Sequence, residues 1–420
     1  MKKLSIALLA ISLYAGDITQ LFNAIEKQPE VKIDNLKVKN AQINKKSVVA
    51  SMYPKVNLFG NYIHYNVPYS IRPLTPTESA VLLRQNAGIP FSKNIKRIGF
   101  DISMPVFIKT IFDNKNKIEH LIKASQYKAK LNLLQRESML VVYLSNLNYL
   151  KELKNALLTQ KNSIKKTADA ISVGVKVGRI PAFKLERLKD EMNQLDTKII
   201  EIDSKANETY SKIYTLTKIK LTNPINFTIN EIKEGEFLAV KPIKEEIKAS
   251  QYDIKAKEDD FLPKISIKIS GNRAFARAYN NYDKVILNSS DAGIYLNWNI
   301  FDKKRNSEVQ KAKIEYMTSQ LTLQKTIKEL SSEIDKINKN LKLIDKAIKH
   351  AKKSIQIRKN LLQSAKVAFK LNTMTVDEYL QYENQLAQAK ADLANLIATK
   401  NSLIAQKAFI YGNNFERIFK

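Results

Sequence analysis

Cysteine is absent from all 420 residues, which excludes a disulfide framework, a thiolate metal centre, a cysteine nucleophile and a lipid-anchored N-terminal cysteine. Histidine is nearly absent. His64, His120 and His350 fall in different predicted elements, and none lies near a nucleophile or a useful metal-ligand spacing. No glycine-rich phosphate loop occurs. These gaps argue against an enzyme, and no cofactor or metal is expected. Ten glycines and eleven prolines leave most of the chain free to be long helix, so the breakers that do occur carry information. After the N-terminal segment, no apolar run is long enough for a transmembrane helix.

Acidic residues are outnumbered, 41 against 70 basic, for a formal charge of +29. Such an excess ordinarily points to nucleic acid. Here it is lysine spread along the whole length beside abundant Asn and Ile, with no stretch that concentrates Arg and Lys among aromatics, so nucleic acid is not expected as a partner. The start, MKKLSIALLAISLYAGD, has basic Lys2 and Lys3, an apolar run from Leu4 to Tyr14, and the small residue Ala15 where a signal peptidase could cut. Residues 1–15 therefore read as a signal peptide.

The chain repeats itself. GFDISMPVF, ending at Phe107, resembles GIYLNWNIF, ending at Phe301, and the break in VKVGRIPAF at Gly178 resembles that in FKLNTMTVD at Asn372, both at an offset of 194 residues. Strand end to break is 71 residues in each half, as a rigid helix of fixed length would enforce. SMYPKVNLFGNY corresponds more loosely to DFLPKISIKISGN. Each half reads helix, strand, loop, strand, long helix, break, shorter helix. The expected boundaries are a first repeat over 16–220, with strands 54–66 and 96–107 and a hairpin tip near 174–181. A linker follows over 221–240. The second repeat covers 241–412, with strands 263–275 and 291–301 and a tip near 371–376, and a tail covers 413–420. Helices near 18–52 and 242–260 would run alongside the long ones.

The strands alternate: Ile98, Phe100, Ile102, Met104 and Val106 share one face while Gly99, Asp101 and Ser103 share the other. That pattern suits a barrel wall between lipid and water, and equally a half-buried soluble hairpin. The long helices carry heptads, with Ile327, Ile334, Leu341, Ile348, Ile355, Leu362 and Phe369 each seven apart and Arg358 the one charged intruder. At ~1.5 Å per residue such a helix is about 100 Å long. The breaks read as hairpin tips: Gly174 and Gly178 end one helix and Pro181 opens the first turn of the next, while Thr375 caps a helix with Asp377 and Glu378 in its first turn. An antiparallel coiled-coil rod, exported or cytoplasmic, would share the heptads and tips but needs no strand pairs. A periplasmic adaptor would carry a single hairpin and no duplication.

Taken together, QPEVKIDNLKVKNAQINKKSVVASMYPKVNL and KPIKEEIKASQYDIKAKEDDFLPKISI ahead of the strands, the tips VGRIPAFKLERL and LNTMTVDEYLQYENQLAQAKADL, and the closing AFIYG resemble the outer membrane efflux protein family, the TolC-like channels. The resemblance implies a mainly α chain with a β-barrel contribution. Long antiparallel coiled-coil hairpins form an α-barrel in the periplasm, and four strands per chain complete a twelve-stranded barrel in a homotrimer embedded in outer-membrane lipid. It implies a passive exit duct of a tripartite efflux or type I secretion system in a Gram-negative bacterium, opened by an inner-membrane transporter and a periplasmic adaptor, or membrane fusion protein. It places Glu378 and Gln381 at the entrance beside Asp377, with Lys184 and Arg187 at the matching positions of the first copy. Adaptor docking falls to Val177, Gly178 and Arg179 and to Leu371, Asn372 and Thr373. Tyr295, Trp298, Phe301 and Phe107 would form an aromatic belt at the membrane interface.

Overall fold

The computed structural model describes residues 17–371 and 373–420; the expected signal peptide and Asn372 lie outside the described residues. Helix α1 (Ile18–Glu26) is capped by the Asp17 carboxylate, which accepts from the Thr19 N–H at 3.3 Å. Its residues Ile18, Leu21, Phe22 and Ile25 recur at helical spacing, and all four are buried. The helix expected over 18–52 is broken after Glu26, and α2 (Pro29–Ala50) restarts on a proline, whose missing N–H costs nothing there. Gln28 fills the break by donating to the Ala24 and Thr217 carbonyls at 2.9 and 3.1 Å.

The first strand pair is β1 (Lys55–Ser70) and β2 (Phe91–Phe107), with a short helix α3 (Pro76–Arg84) in the connection. Helix α4 (Lys109–Lys176) and α5 (Ala182–Thr217) complete the first repeat. The second runs α6 (Val240–Asp259), β3 (Lys264–Arg277), β4 (Lys284–Asn297), α7 (Lys303–Lys370) and α8 (Val376–Tyr411), and α9 (Phe415–Ile418) follows. Strand β4 begins seven residues earlier than the expected 291, because a turn over 278–283 suffices to join β3 to β4. The long helices are 68 residues each and the return helices 36 each, every boundary displaced by 194. The register extends to the caps: Lys218 and Gly412, again 194 apart, both adopt the left-handed conformation that ends a helix, with φ of 56° and 69°.

The four strands form one antiparallel sheet in the order β1-β2-β3-β4, with β2 and β3 joining the repeats and β1 and β4 at the edges. By its contacts the chain divides into two units. One holds residues up to Val38, Ser125–Ile243 and Thr322–Lys420; the other holds Lys39–Ala124 and Lys244–Leu321.

In the first unit the principal core gathers α1 with Leu140, Val141, Leu144 and Leu147 of α4, Ile213 of α5, Leu238, and Phe415 and Phe419 from the end of the chain. Phe22 and Phe415 meet edge to face at 6.2 Å. The segments expected as linker and tail are tied to each other here: Thr228 and Lys420 exchange backbone hydrogen bonds of 2.6 and 3.1 Å, and Ile229 bridges Phe419. In the second unit, α4 and α6 are joined by Lys109–Asp259, Lys117–Asp253 and His120–Glu245 contacts at 3.1, 2.7 and 2.7 Å. His120 is thus a packing residue, stacked on Tyr252 at 5.6 Å.

Candidate functional site

The sheet has two faces of opposite chemistry, and the register defines them. Pairing of Val56 with Ile102, Leu58 with Phe100, Ile102 with Ile269, Met104 with Ile267, and Ile267 with Ile294 puts these side chains on one face. Paired Asn57 and Asp101, Asp101 and Ser270, Ser270 and Asp291, and Lys268 and Gly293 lie on the other. The apolar face is open to its surroundings: Leu58 is 85% exposed and Ile294 77%. An apolar face of this extent is not stable against water. The polar face is internally bonded, with the Ser270 hydroxyl donating to the Asp291 carboxylate. Where strand backbones crowd, an aromatic ring replaces a side chain: the Phe100 ring covers Gly271 on the apolar face, 2.7 Å from where a Cβ would stand.

The expected aromatic belt divides. Phe107 pairs with Ile265 on the apolar face. Tyr295 does not join it. The period of two turns Tyr295 to the polar face, opposite Ser266, where the Lys268 ammonium sits over its ring at 4.8 Å. Trp298 and Phe301 lie beyond the end of β4, both exposed; the Trp298 indole N–H donates to the Phe261 carbonyl at 2.9 Å. Alternation along a strand cannot be extended past the residue where the strand stops.

The two hairpin tips are built from backbone rules. At the first, the Arg179 N–H reaches the Gly174 carbonyl at 2.8 Å and the Gly178 N–H the Val175 carbonyl at 3.1 Å, the paired bonds of a Schellman turn. Gly178 occupies the left-handed position with φ of 70° and open space around it. Gly174 serves differently: it stays helical, and the Ile180 side chain packs where its Cβ would be, at 2.6 Å. Pro181 is the N-cap of α5 rather than a first-turn residue, with φ of −66° and no side-chain cap bond. Val177, Arg179, Lys184 and Arg187 are exposed, Arg187 facing Glu191 at 3.7 Å. Gly178→Ala is expected to lower the stability of this turn by about 1 kcal/mol through its backbone alone. Amide exchange in the flanking turns should then quicken about fivefold. Gly178→Asn should recover part of that loss, since Asn tolerates the left-handed region.

At the second tip the Thr373 N–H bonds the Ala368 carbonyl at 3.0 Å, matching the first turn, and the Thr373 hydroxyl bonds the same oxygen. Thr375 and Glu378 form a capping box. The Glu378 N–H donates to the Thr375 hydroxyl at 3.3 Å, and the Glu378 carboxylate accepts from the Thr375 N–H at 2.9 Å. These bonds hold the Glu378 carboxyl below its usual pKa, so a fixed negative charge sits at the tip. Leu371, Asp377 and Gln381 are exposed beside it. Behind the tips in this unit, α4 meets α8. Ala156, Ala387 and Ala391 pack closely, and the Ser163 hydroxyl donates to Glu383 at 2.7 Å. Arg358, the charge in the heptad seam, is satisfied by the Gln385 carbonyl at 2.5 Å.

Among the described residues no cluster of His, Asp or Glu could hold a metal ion, and no helix is long and apolar enough to cross a membrane. The chain thus combines a four-stranded sheet with an exposed apolar face and a polar reverse and two helical hairpins of equal length. Residues 240–406 match the family model described as outer membrane efflux protein, and the resemblance stated from the sequence holds. That family consists of channels, not enzymes. No curated protein matches the chain. Among solved structures, the Campylobacter jejuni CmeC outer membrane channel is 16% identical with a TM-score of 0.73, over 95% of this chain and 87% of that one. The Vibrio cholerae outer membrane protein VceC gives 11% and 0.75, over 95% and 96%. The open state of the Neisseria gonorrhoeae MtrE outer membrane channel gives 13% and 0.73, over 96% and 90%. At these identities the likeness establishes the fold.

Proposed function

We propose that this chain is the exit duct of a tripartite efflux or type I secretion system. Three copies close a twelve-stranded barrel in the outer membrane, and the helical hairpins extend into the periplasm. The observation that carries the reading is the sheet: an apolar face left exposed by the described residues, a polar reverse, and β1 and β4 at its edges. Lipid tolerates no unpaired strand edge, and four strands cannot close alone, so copies of the chain must supply the missing partners. The conduit is passive, driven by an inner-membrane transporter and reached through a periplasmic adaptor that docks around Val177, Gly178 and Arg179 and around Leu371, Asn372 and Thr373. Engagement opens the tips by favouring their open form. A water-soluble rod would leave Leu58, Ile294 and their neighbours in contact with solvent.

The test is fractionation with crosslinking, then conductance in planar bilayers. A trimer in the outer membrane that conducts ions supports the reading; a monomer or dimer outside that membrane overturns it. Within the channel, Glu378 is assigned to the entrance with Gln381, Asp377, Lys184 and Arg187. Glu378→Gln keeps the geometry of the capping box and removes only the charge, which Glu378→Lys would not. Cation-to-anion permeability in single-channel recordings is expected to fall by up to about fivefold, the weight of one unit charge at close range in water. Unchanged selectivity would remove Glu378 from the entrance.

A further inference from the structure

The apolar face changes character at the end of the sheet remote from the long helices. There the register places Arg273, Arg277, Lys96 and Lys284 on three adjacent strands of that face, around Phe275. Arg277 stands directly opposite Lys284, and Phe275 opposite Lys96, so Arg273 and Arg277 are diagonal neighbours of Lys96. Like charges directly opposite in a ladder repel. Among the described residues no carboxylate offsets them, and the Arg277 guanidinium donates only to the Tyr282 carbonyl at 3.4 Å. None of the four forms an ion pair among the described residues, and the acidic residues of the strands, Asp101 and Asp291, are on the other face. Asp283, in the adjoining turn, accepts from the Asn281 amide at 2.7 Å instead. The cations rest on aromatic rings, Lys96 over Tyr62 at 5.9 Å and Arg273 over Phe275 at 5.4 Å. Lys96, Arg277 and Lys284 border a groove of about 890 Å³ lined also by Lys93, Tyr62, Phe275, Tyr279 and Ile286, with Arg273 next to it on β3 and the exposed Ile98 on the same face.

We propose that this groove is a binding site for a phosphorylated lipid of the outer leaflet, its phosphate held by Arg277, Lys284 and Lys96 and its acyl chains lying along Ile286 and the adjoining Ile98 and Phe100 of the apolar face. The inference rests on the channel reading above, which turns this end of the sheet toward the outer surface. Guanidinium and ammonium groups converging without carboxylates select phosphate, and two opposed cations match its two charged oxygens. A free phosphate would meet the same cations, but it has no use for the apolar wall on which the groove opens. The adjoining tyrosines have the amphipathic character that suits a headgroup boundary.

The experiment is native mass spectrometry of the full-length chain, purified from membranes in a mild non-ionic detergent and titrated with lipid A, with dephosphorylated lipid A, and with inorganic phosphate. Lipid A is expected to be retained at least about tenfold more strongly than its dephosphorylated form, the worth of one charge-assisted hydrogen bond, and inorganic phosphate not at all. The double variant Arg277→Gln with Lys284→Gln should lose the preference, the charge-conserving Arg277→Lys should keep it, and Lys268→Gln on the polar face should leave it unchanged. Equal retention of the two lipids, a double variant that still discriminates, or inorganic phosphate held as firmly as lipid A would overturn the proposal. A membrane-inserted trimer that shows no phosphate preference sinks the lipid site alone; a chain recovered outside the membrane sinks the channel reading with it.

Discussion

Leu58→Arg is expected to abolish accumulation of the assembled protein in the outer membrane, whereas Asn57→Arg, one residue away, is expected to leave it nearly unchanged. Leu58 stands on the apolar face at 85% exposure, paired with Phe100, while Asn57 stands on the polar face beside Asp101. An arginine on the lipid face of a barrel costs ~2–4 kcal/mol near the midplane of the bilayer. Closure of a trimer would place three such residues in one wall. On the polar face the same side chain meets water and a carboxylate. The measurement is the amount of crosslinked trimer in the outer-membrane fraction, with Leu58→Phe as a control for shape. If both arginine variants accumulate alike, the face carrying Leu58 does not meet lipid, whatever else the sheet does.

Alternation over nine residues such as Ile98 to Val106 marks two faces of opposite chemistry in the sequence, but it suits a lipid-facing wall and a half-buried hairpin alike; the exposure of Leu58 and Ile294 in the structure is what favours the first. The repeat was equally legible. An offset of 194 residues recovered from strand ends and breaks reappears in all four long helix boundaries and in the two left-handed caps, since a helix keeps length in strict proportion to residue number. The tips were legible through Gly178 and Thr375, whose backbone and side-chain preferences act locally.

Other features depend on partners distant in sequence, and those were not visible. The sequence groups Tyr295 with Trp298 and Phe301 in an aromatic belt because all three lie near the expected strand end. The face of Tyr295 depends on counting back from Ile294 within a strand whose end, at Asn297, no local signal marks. The cations around Phe275 come from β2, β3 and β4, and no window of sequence contains them all. The linker and tail carry no strong periodicity, yet Phe415 and Phe419 are fully buried because Thr228 and Asn230 capture the backbone of the chain's end. Pro181 differs in the opposite sense: the sequence marks it as a first-turn residue, and the structure places it one position earlier, as the N-cap of α5.

The same distant packing produces a carboxyl whose titration should govern stability. Glu137 lies on α4 among α1 and the chain's end, and burial, reinforced by the charges of Glu26 and Glu416 and only partly offset by Lys130, pushes its pKa up to about 8 from an ordinary value of 4.5. Between those two pH values the folded chain holds a proton that the unfolded chain has released. Rising pH therefore destabilises the fold across that window, and the proton is fully retained by both states only below it. Glu137→Gln supplies a permanently neutral side chain of the same shape. At pH 7 it is expected to stabilise this unit on the order of 3 kcal/mol, from the separation between pH 7 and the ordinary carboxyl value. Near pH 4 the gain should vanish, because the native carboxyl is then protonated in both states. Thermal unfolding of the detergent-solubilised protein at both pH values separates this from a packing effect. A melting temperature raised equally at pH 4 and pH 7 would mean that glutamine packs better and that the Glu137 proton is not the cause; no change at pH 7 would mean that the carboxyl is already ionised and solvated in the fold.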